Sequence, residues 1–254
     1  MAYKIVVPVS GGKDSQACLK LALTEHEPSE VLGLFCDTQF EHPWTYKHVD
    51  WMAQHYGVKI ERITAGSVDE KVLKYGRFPG GGARHCTNEL KIRPSKLFYK
   101  ALAENQGGFT VLYGMRLRES GERARRYQDK ISTELYAPHD IMSNYPAYLE
   151  RLGVMFRLPI LEWTSYEVMD FLEGKHNPLY DHGFERVGCF PCLAGGDFSK
   201  ERAFAFDEFG QSQRLRVKVL EEATGKNIFT SRGGRSRNDP KNIDLFSGCE
   251  ICEI

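Results

Sequence analysis

Apolar and polar positions follow two different periods along the first 160 residues. Short runs rich in valine, isoleucine and leucine predict strands at residues 3–9, 31–36, 59–63 and 109–113. Amphipathic stretches predict helices at residues 15–23, 45–56 and 94–104, and two more at 165–173 and 211–224. Strands that alternate with helices are typical of a parallel sheet covered on both faces. The pattern therefore predicts a doubly wound α/β fold with a mainly parallel sheet.

The pattern changes beyond residue 160. Regular alternation gives way to two Cys-x-x-Cys pairs, two predicted helices and a polar stretch at residues 232–241. We therefore expect an α/β domain over residues 1–160. A small cysteine-containing region of helices and loops is expected over residues 161–254.

A glycine turn directly after the first predicted strand is the strongest candidate for a phosphate site. Residues 6–15 read VVPVSGGKDS, so an apolar strand breaks into a loop just before a helix. Glycine permits backbone angles that turn several N–H groups inward, and the helix start adds a partial positive charge. The loop supplies two hydroxyls, two glycines, one cation and one carboxylate: Ser10, Ser15, Gly11, Gly12, Lys13 and Asp14.

Further candidates follow other strands of the predicted sheet. Ligands of parallel α/β sheets bind beyond the carboxyl ends of the strands. Asp37 and Thr38 end the second strand, and Gly114 follows the fourth. Arg116 and Arg123 come next, and a guanidinium can hold phosphate through two parallel hydrogen bonds. We expect these residues to line a nucleotide site together with the glycine loop.

Composition and charge narrow the class of protein. Lys plus Arg equals Asp plus Glu at 34 each, so net charge does not indicate a nucleic-acid partner. No apolar run approaches the roughly 20 residues of a membrane span, so we expect no membrane partner. The first strand begins almost at residue 1, which leaves no room for a signal peptide and predicts a cytoplasmic protein.

Seven cysteines are present, and in a reducing compartment they indicate ligands, redox groups or packed thiols. Cys18 and Cys36 fall within a predicted helix and strand and are interpreted as packed side chains. The other five lie in polar segments or Cys-x-x-Cys pairs: Cys86, Cys189, Cys192, Cys249 and Cys252. The two pairs alone would suit structural zinc.

Several motifs, in sequence order, resemble one family. SGGKDS is similar to the SGGxDS loop of the PP-loop, or N-type ATP pyrophosphatase, superfamily. FCDTQFEHPWTYKHV, HCTNELKIRP and YGMRLRESGERAR follow in the order expected of the phosphoadenosine-phosphosulfate (PAPS) reductase branch. The run from LPILEW to GCFPC completes the match. The chain is thus identified as a member of the PAPS reductase-like branch of this superfamily.

This resemblance implies chemistry on an adenine nucleotide. Reductases that bind an already adenylated sulfate tend to carry a degraded loop, whereas this loop is intact and favours ATP itself. In the superfamily a substrate oxygen attacks the α-phosphorus and pyrophosphate leaves, with Mg²⁺ present. Carried onto this chain, the resemblance implies catalytic roles for Lys13, Asp14 and Arg116.

The resemblance also implies a [4Fe-4S] cluster. Adenylylsulfate reductases bind one through a Cys-Cys pair and a later Cys-x-x-Cys, which here leaves Cys86, Cys189 and Cys192, because His85 replaces the first cysteine. One iron would stay open for His85, a C-terminal cysteine or exogenous sulfide. Cys249 and Cys252 lie where reductases carry a nucleophilic cysteine, although the family's Glu-Cys-Gly-x-His context is missing.

We therefore expect an ATP-dependent enzyme of sulfur transfer that takes a sulfur donor and thiolates its substrate. The alternatives are an adenylylsulfate or PAPS reductase with a thioredoxin-like reductant, and a non-catalytic nucleotide- or nucleic-acid-binding module. The basic segments 123–126 and 232–241 make tRNA or DNA candidate acceptors. A second copy of the chain is a further candidate partner.

Overall fold

The computed structural model describes residues 2–80 and 84–229. Its centre is a sheet of five strands in the order β3-β2-β1-β4-β5, and every adjacent pair is parallel. The strands are β1 Ile5–Val9, β2 Val31–Asp37, β3 Lys59–Thr64, β4 Phe109–Leu112 and β5 Val154–Arg157. The predicted doubly wound α/β fold with a parallel sheet is confirmed.

Eleven α-helical segments are assigned in the described ranges. They are α1 Lys13–Glu25, α2 Pro43–Tyr56, α3 Val68–Tyr75, α4 His85–Thr87, α5 Arg93–Gln106, α6 Gly121–Tyr127, α7 Pro138–Ile141, α8 Tyr148–Arg151, α9 Ser165–Leu172, α10 Asp197–Phe206 and α11 Glu208–Thr224. No helix of the described residues is long and apolar enough to cross a membrane.

The two faces of the sheet bury separate hydrophobic clusters. Val6 packs on one face with side chains of α5 and β5, whereas Val7 packs on the other with side chains of α1 and α2. Neighbouring residues of a strand point to opposite faces, so the continuous apolar run of β1 fits burial on both sides. This burial fixes β1 at the middle of the sheet and fixes the loop that follows it.

The strand order creates a crevice at one point of the sheet. The chain runs outward from β1 to β3, then returns to the other side of β1 with β4 and β5. The connections after β1 and β4 therefore lead to opposite sides, and such a switch point is where parallel α/β sheets bind ligands. Residues 10–12 and Gly114 lie at this point.

Some elements lie outside the sequence-based prediction. β5 has only four residues, VMFR, which carry neither a long apolar run nor a clear alternation. Helix α10 was also missed, and its apolar residues do not gather on one face as in an amphipathic helix. The helices at the C-terminal end do not pack alone, because Phe204 and Val217 share a cluster with Val72 of α3.

Candidate nucleotide and cysteine sites

The glycine loop is held by its own hydroxyls. Ser15 Oγ donates to the Gly12 carbonyl over 2.9 Å and accepts from the Ser10 N–H over 3.1 Å. Ser10 Oγ accepts from the Gly12 N–H over 3.3 Å and lies 3.2 Å from Ser15 Oγ. Both serines therefore shape the loop in this structure. Helix α1 starts at Lys13, which places the helix N-terminus against the loop.

Two glycines are required by close approach. Gly11 has φ of +76°, and a Cβ there would lie 2.5 Å from Thr45 Cγ2. A Cβ on Gly114 would lie 2.8 Å from the backbone of Asp14, so the connection after β4 presses directly on the start of α1. These glycines bring the two sides of the crevice together, as backbone positions that admit no side chain.

Cations outnumber the carboxylate at the start of α1. Lys13 and Arg116 are only 6% and 5% exposed. Asp14 Oδ1 accepts from Arg116 Nε over 2.8 Å, and Asp14 Oδ2 lies 3.4 Å from Lys13 Nζ. Burial lowers the pKa of the Lys13 ammonium, and the nearby charges of Arg116 and Arg186 lower it further, while Asp14 opposes the shift.

Arg123 occupies a buried position in the same loop system but faces a carboxylate. It is 7% exposed and forms an ion pair with Glu119, whose carboxylate also accepts from the Arg116 N–H over 3.2 Å. Ser120 caps α6 by accepting from the Arg123 N–H over 3.2 Å. Glu119 and Ser120 therefore fix the segment from Arg116 to the start of α6, which carries both arginines.

Two residues from the C-terminal half contact the glycine loop, and no sequence pattern predicted a role for them. Asn177 is fully buried, and its Nδ2 donates to the Gly11 carbonyl over 3.2 Å. The Tyr180 hydroxyl accepts from the Lys13 N–H over 2.9 Å. Both come from the sequence NPLY, which lies within the run from LPILEW to GCFPC that resembles the family. That motif was the available signal, but it did not indicate which residues it would contact.

The residues at the end of β2 contact Tyr46, Glu41 and the cysteine segment. Asp37 Oδ1 accepts from the Tyr46 hydroxyl over 2.8 Å at the strand end. The Thr38 hydroxyl is buried, donates to Glu41 Oε1 over 2.7 Å and lies 3.2 Å from Cys189 Sγ. Thr38 is thus engaged with the cysteine segment in this structure, and its contribution to nucleotide binding stays a prediction.

The three cysteines proposed as ligands all influence the charge of one lysine, Lys91. Cys86 and Cys189 pack beside the same hydrophobic cluster, and Cys192 is exposed. Burial lowers the pKa of Lys91, but the negative charges that Cys189, Glu41 and the other two thiols can carry outweigh burial and raise it. Burial raises the pKa of Cys189 to about 12 and also raises that of Cys86.

These thiols do not close around a single ion. Among residues 2–80 and 84–229, no group of three or more His, Cys, Asp or Glu side chains is placed to hold one metal ion. A [4Fe-4S] cluster takes one thiolate on each iron, so its ligands surround a larger volume instead of converging on one point. Cys86, Cys189 and Cys192 supply three thiols of the type that such a cluster takes, which leaves one iron without a cysteine among them.

His85 is buried against an aromatic ring. Its ring stacks on Tyr75 with centroids 4.5 Å apart. Burial lowers the pKa of His85, followed by the charge of Arg77, with Glu89 opposing the shift. Both ring nitrogens of His85 are buried and have no hydrogen-bond partner among the described residues, and the role of His85 at the open iron stays a prediction. Cys249, Cys252 and segment 232–241 lie outside the described residues.

Comparison with known proteins places the chain in a family. The model of the phosphoadenosine phosphosulfate reductase domain matches residues 4–194. An uncharacterized protein of Methanocaldococcus jannaschii is 33% identical over 193 residues, which cover 75% of this chain and 36% of that protein. The phosphoadenosine 5′-phosphosulfate reductase of Aliivibrio fischeri is 26% identical over 177 residues, or 68% of this chain and 62% of the reductase.

Among solved structures, the fold is similar to that of the FMN adenylyltransferase of Candida glabrata. The TM-score is 0.50 at 14% identity, and the match covers 93% of this chain and 80% of the transferase. The chain spans between 36% and 62% of the length of the two curated relatives named above. Because the family model matches most of the chain, the protein belongs to the phosphoadenosine phosphosulfate reductase domain family.

Proposed function

We propose that this protein is an enzyme that cleaves ATP between its α- and β-phosphates and transfers the adenylate to an oxygen of its substrate. The observation that carries the proposal is the excess of positive charge at the start of α1. Two nearly buried cations, Lys13 and Arg116, share the single carboxylate of Asp14 there. Buried cations need compensating anions, and a polyphosphate at the helix N-terminus would supply them.

The residues of the loop would act on the leaving group. As the substrate oxygen bonds to the α-phosphorus, the bond from that phosphorus to the bridging oxygen breaks and pyrophosphate leaves with the electron pair. Negative charge then builds on pyrophosphate, and preorganised cations and amides lower the energy of that state. Lys13, the loop N–H groups and Arg116 would stabilise it, with Asp14 positioning both cations. Mg²⁺ would enter with ATP as part of the substrate.

The remaining assignments of the nucleotide site are also proposals. Ser10, Gly11, Gly12 and Ser15 would form the phosphate cradle, and Gly114 would let the two walls approach. Asp37 and Arg123 would contribute at the rim of the site. Each lies at the carboxyl end of β1, β2 or β4 or in the segment that follows that end.

The cysteines would serve the second half of the reaction. In it, sulfur at the oxidation level of sulfide bonds to the substrate atom that carries the adenylated oxygen. The bond from that atom to the oxygen breaks, and AMP leaves with the oxygen and the electron pair. Cys86, Cys189 and Cys192 would hold a [4Fe-4S] cluster, and Lys91 would balance the negative charge of the thiolates. Such a cluster, when bound, supplies redox chemistry and an iron that can carry sulfide. Cys249 or Cys252 would pass sulfur from the donor. The acceptor would be a tRNA, a DNA or another oxygen-bearing substrate.

Product analysis tests the proposal. Anaerobically purified protein is incubated with Mg²⁺ and ATP labelled at the α-phosphate, with RNA or DNA as acceptor. The expected products are pyrophosphate together with AMP or an adenylated acceptor. Formation of ADP and phosphate would contradict the proposal. So would the absence of product with any acceptor, if the same protein reduces an adenylated sulfate to sulfite.

Reduction of an adenylated sulfate is the second candidate. It is favoured by the family match and by the likeness to reductases such as that of Aliivibrio fischeri. In this case a cysteine attacks the sulfur, the nucleotide leaves, and a thioredoxin-like reductant releases sulfite from the S-sulfonated cysteine. Sulfite formed without ATP from an adenylated sulfate would establish it.

A further inference from the structure

The hydroxyl of Tyr180 occupies the acceptor position of an amide in the glycine loop. The Lys13 N–H donates to it over 2.9 Å, and the phenol oxygen lies 3.2 Å from where a Cβ on Gly12 would stand. Lys13 is the first residue of α1, so its N–H has no partner within the helix. Amides at this position are the donors that a glycine loop offers to phosphate.

The segment that carries Tyr180 is anchored to the same loop. Asn177 is fully buried, its Nδ2 donates to the Gly11 carbonyl over 3.2 Å, and its Oδ1 accepts from the Leu179 N–H over 3.1 Å. The Lys13 ammonium lies 5.5 Å from the centre of the Tyr180 ring. The turn that contains Asn177, Leu179 and Tyr180 therefore brings the phenol to the phosphate cradle, although the two segments are more than 160 residues apart in the sequence.

An N–H group makes one strong hydrogen bond at a time, so the phenol oxygen and a phosphate oxygen compete for Lys13. We propose that the Tyr180 hydroxyl is a built-in occupant of the phosphate site, which the phosphates of the nucleotide displace when they bind. This inference rests on the proposed function, because it takes a polyphosphate as the ligand of the loop. Tyr180 is then a residue that sets nucleotide affinity.

The charge state of the phenol is compatible with displacement. Burial has the largest effect on the pKa of Tyr180 and raises it. The hydrogen bond from the Lys13 N–H has the next largest effect and lowers this pKa. The hydroxyl therefore stays neutral at physiological pH. A displaced hydroxyl would not repel the incoming phosphates.

Calorimetric titration with inorganic pyrophosphate tests this inference in wild-type protein and in Tyr180→Phe. The substitution keeps the ring and removes only the competing oxygen, which leaves the Lys13 amide free for phosphate. We expect pyrophosphate to bind about twofold to tenfold more tightly, the range set by one net hydrogen bond. Tyr166→Phe is the matched control, since Tyr166 is 78% exposed on α9, and its affinity should equal that of wild type.

The outcomes separate this inference from the proposed function. Unchanged affinity in Tyr180→Phe would overturn the inference alone, and weaker binding would show that the hydroxyl donates to phosphate instead of competing with it. If wild-type protein binds neither pyrophosphate nor ATP, both the inference and the proposed function fail. As a second readout, 3-fluorotyrosine at position 180 should change its ¹⁹F shift on adding pyrophosphate, and a constant shift would contradict displacement.

Discussion

The nucleotide and cysteine sites of this protein are built in different ways. The glycine loop, residues 10–12, joins a strand buried on both faces to the helix that Lys13 begins. The cysteine site joins three distant segments, which carry Thr38 with Glu41, Cys86 with Lys91, and Cys189 with Cys192. The loop of the first site depends on local backbone geometry, although Gly114 and Arg116 reach it from the connection after β4. The second site depends on packing of the C-terminal half against the sheet.

Whether the nucleotide site and the cysteine site act independently can be tested by changing one site at a time. The two sites meet through one stretch of chain, which contacts the glycine loop at Asn177 and Tyr180 and ends at Cys189 beside Thr38. If the sites perform separate steps, a change in one should spare the other. If they form a single reaction centre, each change should affect both.

Lys13→Ala should have the largest effect on chemistry. Removing a buried cation that faces the leaving pyrophosphate should slow its release on the order of 100-fold or more. Iron content should not change. Lys4→Ala is the control, because Lys4 is an exposed partner of Glu30, and it should release pyrophosphate at the wild-type rate. Normal pyrophosphate release from the Lys13 variant would remove the basis for the nucleotide role of the loop.

Cys189→Ser should have the complementary effect. We expect iron and acid-labile sulfide to fall to background in anaerobically purified protein, while calorimetry shows ATP affinity within about twofold of wild type. Cys36→Ser is the matched control, since Ser95 Oγ lies 3.3 Å from Cys36 Sγ and would partner the new hydroxyl. Full retention of iron by the Cys189 variant, or stoichiometric zinc in wild type, would contradict the proposed cluster.

A smaller effect is expected on the free energy of unfolding, from a histidine that joins helices α1 and α2. His48 of α2 bonds to Gln16 of α1, and burial together with the charge of His176 lowers its pKa to about 4. Since unfolded histidine titrates near 6.5, the unfolded state binds more protons between pH 6.5 and 4. This group should therefore stabilise the fold fully above pH 6.5, with a loss of at most about 3 kcal/mol as the pH falls to 4.

Urea unfolding at several pH values measures that loss. His48→Gln should reduce the fall in unfolding free energy between pH 6.5 and 4, although His42, whose pKa burial also lowers, leaves part of it. His55→Gln on the same helix should follow the wild-type curve, because His55 is exposed. An identical fall in wild type and His48→Gln would show that His48 is not held neutral by its burial.

The two sites also differ in how far sequence could predict them. The loop geometry follows from SGGKDS after an apolar strand, because the relevant contacts lie a few residues apart. Its partners Asn177 and Tyr180 could not be derived in this way, since their approach depends on how the C-terminal half packs. For the same reason the sequence did not show that Thr38 would face Cys189, or that three thiols would influence the pKa of Lys91.

Short elements set a second limit. The strand β5 has four residues, and its pattern is not distinct from that of a loop, yet it pairs with β4 along its whole length. Pairing with a neighbour, and not intrinsic propensity, defines it. The long apolar run of β1, by contrast, was sufficient to predict a central strand and the loop that follows.

The most direct test of the proposed reaction is to measure whether the glycine loop binds ATP more tightly than an adenylated sulfate. Calorimetric titration of anaerobically purified protein would compare Mg²⁺-ATP with an adenylated sulfate, with Lys13→Ala as the negative control. Tighter binding of ATP, abolished in the Lys13 variant, is the expected result. Binding of the adenylated sulfate alone, with no heat from ATP, would contradict ATP cleavage and favour sulfonucleotide reduction.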